Sequence, residues 1–260
     1  MLRRQRSSVA EPAVAIVEGV DRLEPEHGPL FAVIGVFDGI HLGHQYLLRR
    51  LVEEARARSA RPAVITFDSH PDEVLVGAAP PLLLDPEERI RLLEEAGVEV
   101  IVVQHFDPAL RATEYDDFLH RITRRTRLAG LLMTPDAAFG HDRRGTPETV
   151  AALGAAEGFE VVVIPPFTID GRSVRSSDIR TAIASGDLAG AEALLGRPHT
   201  VVGRADAHGQ MTFPMPVALP PPGEYSTRGR GRCAVTASGT VTLRVATEAG
   251  RRRIEFAPGD

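Results

Sequence analysis

Two histidines three residues apart carry the first chemistry legible in this chain. In "GVFDGIHLGHQYLL" (35–48), His41 and His44 follow a glycine-framed turn that carries Asp38, and a helical pattern begins at His44. The turn closes an apolar run, 31–36, that reads as a buried strand. Gly39 lets the backbone reverse sharply, and Gly43 lets a ligand approach the first helical turn closely. Helix N-terminal N–H groups favour an anion, and both imidazoles are placed to donate hydrogen bonds to it from one side. A plain strand-to-helix connection needs a turn glycine and a cap, and neither histidine.

A second constellation is "VRSSDIR" (174–180). Ser176 and Ser177 read as residues preceding a helix, their hydroxyls capping it and binding phosphate together. Arg180 follows in the first turn and points back over the same N-terminus as a bidentate phosphate clamp. Alone, this is a helix cap with a solvated arginine. Beside the histidine turn it becomes the second wall of one anion site.

Composition narrows the chemistry. The chain contains no lysine and no asparagine, so all 30 basic residues are arginines. A P-loop is excluded outright, and phosphate must be held by arginine forks, histidines and backbone N–H groups. With 260 residues, 43% hydrophobic and 25% charged, the chain has the composition of a globular protein, and no run of apolar residues is long enough to span a membrane. The basic opening "MLRRQR" is followed by an apolar stretch broken by Pro12 and Glu18, which argues against an export leader. The one cysteine, Cys233, excludes an internal disulfide and fits a reducing cytoplasm as a packed strand thiol. No cluster of ligands is dense enough for zinc.

The elements that must position these residues follow a regular order. Residues 1–12 read as a frayed lead-in. Strands are expected at 31–36, 61–67, 98–106, 129–134 and 159–167, with helices at 44–59, 85–97, 113–126 and 146–158. Asp85–Pro86 and Thr146–Pro147 open two of these helices as cap and first residue. Strands that are hydrophobic throughout, alternating with amphipathic helices, predict a doubly wound α/β domain with a parallel sheet over 13–198. Ligands of that architecture bind beyond the carboxyl ends of the strands. Helical period is lost after 198, and residues 199–260 read as a small antiparallel β module, marginal as an independent fold. It carries 8 arginines against 5 acids, whereas residues 1–198 carry 22 against 30.

"GVFDGIHLGH" resembles the H-x-G-H signature of the nucleotidylyltransferase superfamily, whose domain is Rossmann-like. More narrowly the chain is similar to the FAD synthetase module of bacterial bifunctional riboflavin kinase/FAD synthetases. The likeness runs through "VITFDSHPDEVL" (64–75), the block from Asp85 to Leu110, "PDAAFG" (135–140) and residues 174–198. It implies transfer of AMP from ATP to FMN, giving FAD and pyrophosphate, with Mg²⁺ arriving on ATP. By the same resemblance His41, His44 and Arg180 are catalytic, and Gly35, Phe37, Asp38, Gly39, Gly43, Ser176 and Ser177 bind ATP. Phe67, His70, Pro71, Asp136 and Phe139 are implied on the flavin side, with Asp136 a candidate metal ligand.

The sequence departs from the family pattern at Ser69 (usually proline), Ala137 (an aromatic), Arg175 (serine) and Ser177 (threonine). By the same resemblance residues 199–260 are a shortened riboflavin kinase-like barrel; in "GQMTFPMPVAL" (209–219), Met215 and Val217 stand where the family's kinase barrel has its nucleotide-binding threonine and asparagine, so no riboflavin kinase activity is expected. Two other functions stay open: a nucleotidylyltransferase for another phosphorylated acceptor, and a non-catalytic flavin- or nucleotide-binding regulator. "RGRGR" (228–232) is a single copy without interleaved aromatics, and no nucleic-acid partner is expected.

Overall fold

Apolar β-branched runs alternate with capped helices through most of the chain, and this alternation builds a parallel sheet. The computed structural model describes residues 14–229, 231–244 and 249–258; the expected lead-in, 1–12, and the end of "TVTLRVAT" lie outside them. In chain order the first part contains β1 (Ala15–Glu18), β2 (Leu30–Ile34), α1 (Leu42–Ala57), β3 (Arg61–Phe67), α2 (Pro71–Leu75), α3 (Pro86–Glu95), β4 (Val100–Gln104) and α4 (Pro108–Arg111). There follow α5 (Tyr115–Thr123), β5 (Leu128–Met133), α6 (Pro147–Glu157), β6 (Glu160–Val163), a hairpin of β7 (Thr168–Ile169) and β8 (Arg172–Ser173), α7 (Ser176–Ser185) and α8 (Leu188–Leu195).

The main sheet has the order β1-β4-β3-β2-β5-β6, all neighbours parallel. From β2 the chain winds outward to β3 and β4, then returns to β5 on the other side. The strand order therefore reverses between β2 and β5, the position where such sheets open a ligand crevice. Alternation along the strands feeds two cores. Leu30, Ala32, Ile65 and Val102 pack with Phe118, Leu119 and Ile122 of α5 and Val150 of α6. Phe31, Val33, Val64 and Ile101 pack with Leu48 and Leu51 of α1 and Leu93 of α3. This is the expected doubly wound α/β architecture.

Local corrections are few. β1 was not anticipated: its four residues add an edge strand to β4, with Ala15 opposite Val100. The run 31–36 ends its strand at Ile34, which frees Gly35 and Val36 for the turn. The first helix starts two residues early, at Leu42, so His44 is its third residue and His41 its cap. The two expected caps hold. Asp85 accepts from the N–H groups of Glu87 and Glu88, and Thr146 from that of Thr149.

The last part comprises β9 (Thr200–Ala205), β10 (Gln210–Thr212), β11 (Gly223–Thr227), β12 (Gly231–Val235), β13 (Val241–Leu243) and β14 (Gly250–Glu255). They form an antiparallel sheet ordered β11-β12-β13-β10-β9-β14. Arg228 N–H donates to Glu255 O (2.9 Å) and Ala257 N–H to Ser226 O (3.0 Å), so the two edge strands meet and the sheet closes into a barrel. Its interior is Val201, Met211, Cys233, Val241, Leu243, Ile254 and Phe256, joined by Leu188 of α8. Burial raises the Cys233 thiol pKa to about 11, which leaves it an unreactive core residue.

The barrel docks on the α/β part. Leu82 N–H donates to Pro216 O (2.9 Å) and Ala218 N–H to Leu82 O (2.8 Å). Arg251 pairs with Asp85 and Glu87, and Arg228 with Glu192 (2.7 Å). His199 lies buried at the junction, its Nε2–H donating to Ala218 O (2.8 Å).

Candidate active site

The histidine turn is held in a conformation that its own residues disfavour. Phe37 (φ 53°) and Ile40 (φ 36°) occupy the left-handed region beside Gly39 (φ 89°). Each non-glycine outlier costs about 1–3 kcal/mol and persists only where surroundings over-determine it. Here they do, because side chains take the turn's carbonyls one after another. Val36 O accepts from Thr66 Oγ1 (3.0 Å) and Arg89 Nη1 (3.1 Å), and Asp38 O from Ser176 Oγ (2.9 Å). Gly39 O accepts from Arg197 Nη2, and Ile40 O from Arg197 Nη1 (3.0 Å) and Gln45 Nε2 (3.0 Å).

His41 caps α1: its Nδ1 accepts the His44 N–H at 3.3 Å. That bond leaves the proton of a neutral ring on Nε2, so the tautomer is set for donation from Nε2. The two imidazoles stack, with centroids 3.7 Å apart, and Phe37 flanks His44 at 5.0 Å. A Cβ at Gly43 would lie 3.1 Å from the His41 ring and 3.4 Å from Val174 O, so this glycine lets α1 abut the segment leading into α7. Burial lowers the His41 pKa to about 4, with Arg197 adding to the effect, and holds His44 well below its usual value. Both rings are therefore neutral at pH 7. His44 Nδ1 is buried with no hydrogen-bond partner among the described residues.

The serine-arginine constellation differs from its expected geometry. Arg175, not a serine, is the cap of α7, and no side chain caps that end. Ser176 and Ser177 are the first two helical residues, so they offer backbone N–H groups there, while the Ser176 hydroxyl is spent on Asp38 O. Arg180 forks onto the protein: Nε donates to Pro81 O (2.8 Å), and Nη2 pairs with the Asp38 carboxylate. Asp38 is 3% exposed and also accepts from Leu83 N–H (3.0 Å). Its burial outweighs these partners and raises its pKa. Asp38 thus binds the two motifs together, its carboxylate taken up by Arg180 and Leu83 N–H.

The five flavin-side residues fall into two groups on either side of the turn. Phe67 ends β3, with His70 and Pro71 just beyond it, and meets Phe106 edge-on at 5.3 Å. His70 caps α2, its Nδ1 accepting from Asp72 N–H (3.2 Å), so that nitrogen is not a binding contact. Beyond them a cleft of about 680 Å³ opens over the ends of β1, β3 and β4, lined by Gly19, Asp21, Asp68, Gln104 and His105. Asp136 and Phe139 follow β5 on the other side, where Phe139, Ala137 and Leu47 border a small apolar crevice at the β2/β5 switch point. Asp136 is exposed and accepts from Thr134 Oγ1 (2.8 Å). Among the described residues no three His, Cys, Asp or Glu side chains gather as metal ligands.

Arg89, Arg197, Gln45 and Leu83 are site-supporting residues that sequence reasoning missed. Arg89, 7% exposed, shares the buried stripe of α3 with Leu93, four residues on. An arginine on an apolar helical stripe was the available signal.

Two helix N-termini, α1 and α7, meeting over a histidine turn at the carboxyl edge of a parallel sheet define a nucleotidylyltransferase-type domain. The chain belongs to the FAD synthetase family, whose model matches residues 23–178. It is 34% identical over 196 residues to the bifunctional riboflavin kinase/FMN adenylyltransferase of Pseudomonas fluorescens, covering 75% of this chain and 63% of that protein. The protein of the same description in Haemophilus influenzae is 36% identical over 173 residues, covering 66% and 56%. The matched stretch thus spans about three-fifths of these relatives. A macrolide-efflux protein from Streptococcus pneumoniae shares the fold across 95% of this chain and 90% of its own, with TM-score 0.74 and 22% identity.

Proposed function

We propose that this chain is an FMN adenylyltransferase, converting ATP and FMN to FAD and pyrophosphate. The observation that carries the reading is the junction of two helix N-termini over neutral His41 and His44 within a chain of the FAD synthetase family. An oxygen of the FMN phosphate attacks the α-phosphorus of ATP in line. A P–O bond forms, the α–β bridging P–O bond breaks, and pyrophosphate leaves with the electron pair. The nucleophile is already an anion, so the step needs no general base and no covalent intermediate. Catalysis then consists of alignment and charge stabilisation. The N–H groups of Leu42, Gly43, Ser176 and Ser177 and the Nε2–H of His41 suit a phosphate that gains charge in the transition state. His44, stacked on His41, lies against the same phosphate path. Arg180 acts largely through Asp38, which ties α7 to the turn.

Two aromatic ring systems must bind, and two sides are offered. We assign the isoalloxazine to the β3/β4 side, with Phe67 and Pro71, and the adenine to the crevice bordered by Phe139. Mg²⁺ enters as part of the MgATP substrate, with Asp136 the residue placed to add a ligand to it. Chelation therefore stops turnover, and added Mg²⁺ restores it.

Residues 13–198 serve as the transfer unit and 199–260 as a barrel without kinase chemistry. Val217 pairs with Leu82 and packs on the barrel core, and neither it nor Met215 carries the hydroxyl or amide that the family's kinase barrel has at these positions. The single buried thiol suits the cytoplasm. Among the described residues no helix is long and apolar enough to cross a membrane. The test is an acceptor screen with MgATP: pyrophosphate release with FMN, but not with riboflavin, nicotinamide mononucleotide or phosphopantetheine, supports the reading. Preference for another phosphorylated acceptor contradicts it.

A further inference from the structure

Arg89, buried, and Arg197, half-buried, are cations that the reaction scheme leaves without a task. Arg89 reaches Val36 O through Nη1 (3.1 Å) and Phe67 O through Nη2 (2.7 Å), joining the ends of β2 and β3. Arg197 reaches Gly39 O and Ile40 O from the opposite end of the turn. Neither forms an ion pair among the described residues: carbonyl oxygens accept their hydrogen bonds, and carboxylates act on them only at longer range, Asp38, Asp68 and Asp85 on Arg89 and Glu88 on Arg197. Desolvation lowers the pKa of both, that of Arg197 to about 10, yet both remain charged at neutral pH. A buried unpaired charge is costly, and a neutral donor would hold a carbonyl at lower cost.

A trans peptide is planar, with its N–H directed opposite to its C=O. Fixing the carbonyls of residues 36, 38, 39 and 40 therefore fixes the N–H groups of residues 37, 39, 40 and 41 on the other side of the turn. Among the described residues no acceptor takes any of these four N–H groups. They lie immediately before the N-terminus of α1.

We propose that Arg89 and Arg197 are positioning residues for adenylyl transfer, which turn the carbonyls of Val36, Gly39 and Ile40 away from the phosphate site so that the N–H groups of Phe37, Ile40 and His41 face it. The inference rests on the nucleotide-binding half of the proposed function. Its chemistry is an anion nest whose orientation is imposed from behind by two forks.

The test uses the full chain with Arg89→Lys, Arg89→Gln and Arg197→Lys. Lysine keeps the charge and loses the fork, so a single ammonium does not bridge Val36 O and Phe67 O. Three quantities are read on folded protein: the ATP dissociation constant by calorimetry, kcat for FAD formation, and KM for FMN. The expected result is a kcat lower by on the order of ten- to a hundredfold and ATP bound about tenfold more weakly, because small misplacements of aligned groups carry penalties of that size. KM for FMN changes by less than about threefold, and lysine does not rescue. A purely structural role predicts a lowered unfolding midpoint with kcat and ATP affinity per folded molecule unchanged, and that result overturns the proposal. Rescue by lysine overturns it also, since charge alone would then suffice. If the wild type binds ATP but makes no FAD, the acceptor assignment fails while ATP affinity in the variants still decides this inference. A wild type that binds no ATP refutes both.

Discussion

At the scale of residues, the site works with neutral groups where cations would have been the simpler expectation. Burial keeps His41 and His44 uncharged, and the bond from His44 N–H to His41 Nδ1 selects the tautomer that donates from Nε2. His44→Ala removes one donor and the ring on which His41 stacks. Turnover should fall by on the order of a hundredfold or more with the fold intact, the size expected for a lost preorganised stabiliser. Steady-state FAD formation by the circular-dichroism-normal variant checks this, and near-wild-type rates would refute the role. Arg180→Ala should behave differently, because Asp38 is left as a buried carboxylate without its partner. It should lose activity and also about 3 kcal/mol of stability in urea unfolding, whereas Asp38→Asn combined with Arg180→Met should recover part of that stability. An Arg180→Ala variant as stable as wild type would show that the pair is not the tie between the motifs.

Among the elements, α1 and α7 matter for where they begin. Gly43→Ala places a methyl about as close to the His41 ring as side chains tolerate. Alanine also improves helix propensity by roughly 0.5–1 kcal/mol. The variant should therefore be as stable as wild type or slightly more so, yet about tenfold slower, since His41 must shift by a few tenths of an ångström. Thermal unfolding and kcat measured together decide it; equal loss of both would mean ordinary overpacking. The alternation of strands and helices, the Asp85 and Thr146 caps and the H-x-x-H turn were legible because each is a local pattern. β1 was not, since a four-residue edge strand ending in Glu18 has no periodicity to display. The serines were misread as caps because their spacing fits a cap, whereas Asp38 O, 138 residues away, claims the Ser176 hydroxyl. Arg89 and Arg197 were missed for the same reason: their partners are carbonyls supplied by the tertiary fold.

On the scale of the whole molecule, the barrel and the site share one segment. Leu82 pairs with the barrel's 216–218 strap, while the flanking Pro81 O and Leu83 N–H serve Arg180 and Asp38. His199 stands at this junction, and burial lowers its pKa to about 4. The unfolded chain takes up a proton near pH 6.5 and the folded chain does not, so stability is lost as pH falls from about 6.5 towards 4, by up to about 1.4 kcal/mol per pH unit for each such histidine. His199→Gln, which keeps a donor for Ala218 O, should flatten the fall of the unfolding midpoint over that window; an unchanged slope would contradict the buried neutral assignment. The central claim is adenylyl transfer to FMN, and it is tested most directly by incubating the full chain with MgATP and FMN and following FAD and pyrophosphate together. Formation of both in equal amounts, proportional to enzyme and abolished by chelation, is the predicted result. ATP bound and left intact in the presence of FMN would contradict it.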